Sequence, residues 1–189
     1  MFIQTESTPN PATLKFIPGC AVLSEGAADF PNAASAAASP LALRLFEITG
    51  VTGIFLGADF ITVTKSDGEW HHLKPMILGA IMEHFTSGRP VMLATEAGGG
   101  AAGGHAQDAG GEDAEIVEQI IELLDTKVRP AVAQDGGDIV FRSFSEGIVY
   151  VHLQGSCAGC PSSTLTLKNG IENMLRHYIP EVLEVRQTS

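Results

Sequence analysis

The order of apolar and polar positions divides the chain into two patterned stretches. In the first, Thr13 to Ile17 alternates as a strand does, with successive side chains on opposite faces. Leu41 to Ile48 predicts a short helix after Pro40. Gly53 to Leu56 and Phe60 to Lys65 predict two strands joined by a turn at Gly57-Ala58-Asp59. From Leu73 to Phe85, apolar residues recur at helical spacing, and Gly88 with Pro90 closes the run. Ser24 to Ser39 has no such period and reads as a surface loop whose alanines suit at most a helical turn.

In the second stretch Ile116, Ile120, Leu123, Leu124 and Val128 predict a helix starting at Glu112 or Asp113, with acids in the first turn where the helix dipole favours them. Pro130 is expected to kink or end it. Ile139 to Ser143 and Ile148 to Leu153 read as a hairpin turning at Glu146-Gly147. Leu165, Ile171, Met174, Leu175 and Tyr178 mark a second helix, and Val182 to Val185 a last short strand. The expected order is α-β-β-α-β, a sheet with both helices on one face. Between the stretches Gly and Ala dominate and large apolar residues vanish. Such a segment buries too little to offset its ordering entropy, and its expected span is on the order of 25 Å. The fold class read from this pattern is α+β: two small domains, 1–93 and 112–189, joined by a flexible linker at 94–111.

Charge narrows the range of partners. Eleven Lys and Arg stand against 22 Asp and Glu in 189 residues, and no basic block could neutralise a row of phosphates, so nucleic acid is not expected. No run approaches the ~18 to 20 apolar residues needed to cross a bilayer, so no membrane partner is expected either. The first residues lack a secretory or transit pattern, which predicts a cytoplasmic protein. Three cysteines, two of them three positions apart, do not make a secreted disulfide framework and point instead to metal or redox chemistry.

The candidate chemistry lies in Gly155-Ser156-Cys157-Ala158-Gly159-Cys160-Pro161, between the hairpin and the last helix. Pro161 suits a first helical position and places Cys160 at or next to the N-cap, where the positive helix end stabilises a thiolate. Several readings compete. Two small residues can simply line a buried turn. A thioredoxin-like dithiol uses the same dipole, although the expected βαβ pattern is not visible around it. Zinc asks for a second ligand pair at fixed spacing, and none is visible. Iron–sulfur clusters normally take four thiolates, and a two-fold dimer would supply them by symmetry, one pair from each chain, at an exposed and labile site.

Other candidates carry less. Cys20 is expected to be a buried structural thiol, His152 a satisfied histidine near the loop, and His71-His72 solvated residues. Asp135 and Asp138 frame a turn. No catalytic constellation is recognisable, so no enzyme activity is expected.

These residues resemble the NifU-like (NFU-type) iron–sulfur cluster assembly proteins. The second stretch is similar to their C-terminal domain at Arg129-Pro130, Asp135-Gly136-Gly137-Asp138-Ile139 and Gly155 to Thr164. The first is similar to their N-terminal domain at Thr8-Pro9-Asn10-Pro11, Leu14-Lys15-Phe16, Ser39-Pro40-Leu41-Ala42 and Asp59 to Lys65. The resemblance implies a scaffold or carrier that holds a [4Fe-4S] cluster, with [2Fe-2S] as the alternative, on Cys157 and Cys160. It implies a cluster-dependent homodimer, cluster-assembly donors, and apo iron–sulfur clients, with the first domain serving partner recognition. Because organellar relatives of this kind carry a transit peptide, a bacterial cytoplasm is the expected home.

Overall fold

The computed structural model describes residues 2–24, 26–93, 114–158 and 161–188, without the side chains of 161–164. The chain divides into two compact units, Met1–Gly103 and Gly104–Ser189, and the α+β class holds for both.

In the first unit β1 (Gln4–Ser7), β2 (Thr13–Ile17), β3 (Ala28–Phe30), β4 (Val51–Leu56) and β5 (Ile61–Lys65) form one sheet in the order β1-β2-β5-β4-β3, every neighbouring pair antiparallel. Alternate residues Ile54, Leu56, Ile61 and Val63 enter a core with Leu41 and Leu45 of α1 (Pro40–Phe46) and Ile77 and Ile81 of α2 (Trp70–Thr86). Each such fully buried aliphatic side chain contributes roughly 1.5 to 3 kcal/mol. Ser39 caps α1: its Oγ accepts from the Ala42 N–H at 3.1 Å and donates to the Val91 carbonyl at 2.6 Å.

Three differences from the pattern have physical causes. β1 was not visible because it is an exposed edge strand with no apolar face of its own; it is defined by its pairing with β2. The region read as loop contains β3 and a 3₁₀ turn, Ser35–Ala38, because Ala28 and Phe30 find a buried register against Leu56 and Ile54. Helix α2 starts at Trp70, before Pro75, rather than at Leu73. Its beginning is tied down by the Trp70 indole, which donates to the Pro11 carbonyl at 3.1 Å and lies under Lys65.

In the second unit α3 (Ala114–Leu123) runs through a π-helical turn, Leu124–Val128, into α4 (Arg129–Gln134). Pro130 therefore does not end the helix. The backbone upstream widens instead, with the Arg129 N–H reaching the Leu124 carbonyl. The wide turn keeps Val117 and, at four-residue spacing, Ile120, Leu124, Val128 and Val132 on one buried face. β6 (Gly137–Ser145) and β7 (Ile148–Gly155) form the hairpin, α5 (Pro161–Tyr178) follows, and β8 (Glu184–Gln187) completes the sheet β6-β7-β8. Ile139, Phe141, Val149, Val151 and Val185 meet the helices in one core, so the sheet does carry its helices on one face. The βαβ pattern that the sequence did not show around the cysteine turn is present: β8 pairs parallel to β7, so β7-α5-β8 is a βαβ crossover. The expected linker lies outside the described residues.

Candidate functional site

The turn after β7 is built by backbone first. Gly155 adopts φ +66, a left-handed conformation that favours glycine, and the Ala158 N–H closes the turn on the Gly155 carbonyl at 3.1 Å. Facing it, the chain between α4 and β6 supplies two carbonyls. The Ser156 N–H donates to Gly136 at 3.2 Å, and the Ser156 hydroxyl donates to Asp135. Ser156 is only 2% exposed. Helix α5 then begins at Pro161, as the sequence predicts.

This geometry turns Cys157 inward. The residue is 5% exposed and belongs to the apolar core of the unit. Its sulfur fits because Gly137 has no side chain: a Cβ there would stand 2.7 Å from Cys157 Sγ and 2.7 Å from the Gln154 carbonyl. The exposed thiol pair expected from the ligand count is thus not what the structure shows for Cys157. Cys160 lies outside the described residues.

A charged clasp fixes the start of β6. Arg129 grips Asp138 with Nε to Oδ1 at 2.9 Å and Nη2 to Oδ2 at 2.8 Å, and reaches Asp125 at 3.1 Å. The Asp138 carboxylate also accepts the Ile139 N–H at 2.8 Å. Hydrogen bonding to Asp138 drives the Arg129 pKa up against the opposing effect of its burial. Asp138, which the pattern assigned to a turn, therefore anchors the strand that begins with Gly137. The clue was the Arg129 to Asp138 pairing of one cation and one acid across a helix-to-strand turn.

The remaining candidates separate. Cys20 is exposed, contrary to the expected buried thiol. His152 Nδ1 lies 3.1 Å from the Thr188 carbonyl, a contact near the chain end that accounts for it without a ligand role. His71 and His72 are exposed and lie ring to ring at 3.8 Å. Among the described residues no group of three or more His, Cys, Asp or Glu is placed to hold a metal ion. Nor is any helix there long and apolar enough to cross a membrane. Two concavities of about 430 and 570 Å³ flank the α1–α2 pair of the first unit, sharing Arg44, Glu47, Ala80 and Glu83. Arg44 bridges Glu47 at 2.7 Å and Glu83 at 3.1 Å between them.

Fold and turn together define a class: a two-unit α+β protein whose second unit sets a C-x-x-C turn between a hairpin and a helix. The family models agree with this division. Residues 3–88 match the scaffold protein Nfu/NifU N terminal, and residues 120–186 match the NifU-like domain. The chain is 54% identical over 189 residues to the human "NFU1 iron-sulfur cluster scaffold homolog, mitochondrial", the match taking in 99% of this chain and 72% of that protein. It is 51% identical to Arabidopsis thaliana "NifU-like protein 4, mitochondrial", of which it covers 66%, and 52% identical to the Drosophila sechellia NFU1 homolog, of which it covers 65%; both matches take in 99% of this chain. The chain belongs to the Nfu/NifU scaffold protein family.

These relatives correct the expected bacterial cytoplasm, since all three are named as mitochondrial proteins. The reason the first residues misled is structural. Gln4–Ser7 is a strand of the folded sheet, so its lack of a targeting pattern says nothing about compartment.

Proposed function

We propose that this protein is an iron–sulfur cluster scaffold and carrier whose cargo is a [4Fe-4S] cluster held by Cys157 and Cys160 and shared between two copies of the chain. The observation that carries the reading is a sulfur donor on a glycine-lined strand-to-helix turn, in a chain that aligns almost throughout with proteins named as iron-sulfur cluster scaffolds. The donor chemistry fits, because soft thiolates suit iron–sulfur cargo. Two thiolates per chain are half a ligand set, and a two-fold axis completes it. The cluster then passes to apo-proteins. The first unit, residues 1–93, recognises them, its α1–α2 concavities with exposed Leu43 and Met76 being the surface that supports this role. The second unit, taken as 112–189, carries the cargo.

Anaerobic reconstitution with iron and sulfide, read by Mössbauer spectroscopy and light scattering, tests the reading. One four-iron cluster per two chains, with a shift from monomer to dimer on loading, is expected. A complete four-iron cluster on a stable monomer refutes the shared site.

One observation favours a second reading, a thioredoxin-like dithiol redox protein: the βαβ crossover β7-α5-β8 has the cysteine turn at its helix start. Reduction of insulin disulfides by the chain, coupled to a reversible Cys157–Cys160 disulfide, would select it.

A further inference from the structure

We propose that Gly137, Asp135 and Ser156 form a seat that holds the Cys157 sulfur inside the second unit when no cluster is bound, and that this seat sets how readily cargo is given up. The proposal rests on Cys157 being a cluster ligand. It adds positioning residues that act through that cysteine.

The seat has three independent parts. Gly137 provides the space: any Cβ at this position would stand 2.7 Å from Sγ and 3.2 Å from the Cys157 Cβ. Ser156 provides the tie, since its hydroxyl donates to the Asp135 carbonyl and its N–H to the Gly136 carbonyl at 3.2 Å, with Ser156 Oγ 3.9 Å from Sγ. The core provides the apolar surroundings, in which Cys157 packs as a buried residue at 5% exposure. Arg129 and Asp138 hold the strand on which Gly137 sits, so the space cannot simply drift away.

A sulfur in this position cannot also bind an iron atom shared with another chain. Ligation requires the turn to open, and on ligation the thiol proton passes to water as the iron–sulfur bond forms. Opening and ligation are then linked: the apparent affinity for the cluster is the intrinsic affinity multiplied by the fraction of open turns. Return of Cys157 to the seat competes with iron for the same sulfur, which favours hand-over to a client. Burial also keeps the unloaded thiol from oxidants.

The test compares thiol reactivity with cluster retention in the full chain. In the reduced apo protein, iodoacetamide alkylation is followed site by site by tandem mass spectrometry, each rate being taken at its high-pH plateau so that thiol ionisation cancels. Exposed Cys20 serves as the internal reference. Cys157 should react at least about tenfold more slowly than Cys20. Ser156→Ala removes the hydroxyl that ties the closed turn to the Asp135 carbonyl, and should raise the Cys157 rate about threefold to tenfold while leaving Cys20 unchanged.

The loaded protein is then equilibrated against a graded iron chelator. Ser156→Ala should retain cluster more strongly, by the same factor if one seat opens per cluster and by its square if two chains share it. A substitution that merely weakened the fold would retain cluster less. Gly137→Ala, where it folds, should move both readouts further in the same directions. The seat is overturned if native Cys157 reacts as fast as Cys20, or if Ser156→Ala sheds cluster more readily at an unchanged melting temperature. Full cluster content in Cys157→Ser, with slow alkylation of native Cys157, would instead refute the ligand reading and leave the seat intact.

Discussion

Each unit contains a glycine whose missing side chain admits a neighbour into the fold, and the neighbours differ in kind. In the first unit a Cβ on Gly57 would run into the ring of Phe60, which also packs against Phe55 at 5.9 Å between centroids. In the second a Cβ on Gly137 would meet the sulfur of Cys157. Phe60 is inert filler that closes a turn between two strands. Cys157 carries a thiol, the group proposed above as a cluster ligand, and occupies the same sort of niche. Close glycine packing is thus not a signature of function; the chemistry of the occupant decides whether the niche is an anchor or a device. Cys20, in the first unit, has the chemistry but is exposed.

The largest expected effects are on unfolding, where the two units should melt separately. Phe16→Ala should remove about 3 to 5 kcal/mol from the first unit, and Phe141→Ala a similar amount from the second, both residues being fully buried. Calorimetry should show each substitution moving its own transition. Cluster content should fall with Phe141→Ala and stay near the native level with Phe16→Ala. If both transitions move together, the units do not act separately.

Asp138→Ala isolates the clasp that holds the Gly137 strand of the second unit. It leaves Arg129 without its main partner and removes the acceptor for Ile139, at a cost of about 3 kcal/mol. The loss stays at the low end because Arg129 keeps Asp125 and a quarter of its side chain in water. Urea denaturation measures it, and a loss below about 1 kcal/mol would show that the strand start is held by other contacts.

Gly57→Ala addresses the inert niche. Overpacking Phe60 should lower first-unit stability by about 1 to 2 kcal/mol, with cluster content and Cys157 reactivity unchanged. An effect on either thiol readout would mean that the two niches are not independent.

The smallest expected effect is a pH dependence confined to the first unit. His84 is buried, and its Nε2 has no hydrogen-bond partner among the described residues. Burial pushes its pKa below 6.5, assisted by the Arg89 charge and opposed by the backbone of Pro90 and Arg89. The unfolded chain therefore takes up the proton more readily than the folded unit. Stability from neutral His84 is fully present above about pH 6.5 and is lost as pH falls from there toward the depressed value. His84→Leu should flatten the melting profile of the first unit over that window and leave the second transition unaffected.

Much of this molecule follows from sequence period alone. Leu41 to Leu45, Ile54 to Val63 and Ile139 to Val151 were legible because a 3.6-residue or two-residue repeat of apolar side chains states which face is buried, whatever covers it. The cysteine turn was legible because glycine, cysteine and proline at fixed offsets restrict the local backbone to a strand-to-helix corner. Periodicity names a face and not a partner, so what depended on distant partners stayed hidden. β1 exists through its register with β2, and β8 runs parallel to β7 because an intervening helix returns the chain to the same end of the sheet. The inward position of Cys157 depends on Gly137, twenty residues away in the chain but within contact distance across the hairpin. Only folding brings that space and that sulfur together, because a missing Cβ has no meaning until another segment packs where it would have been.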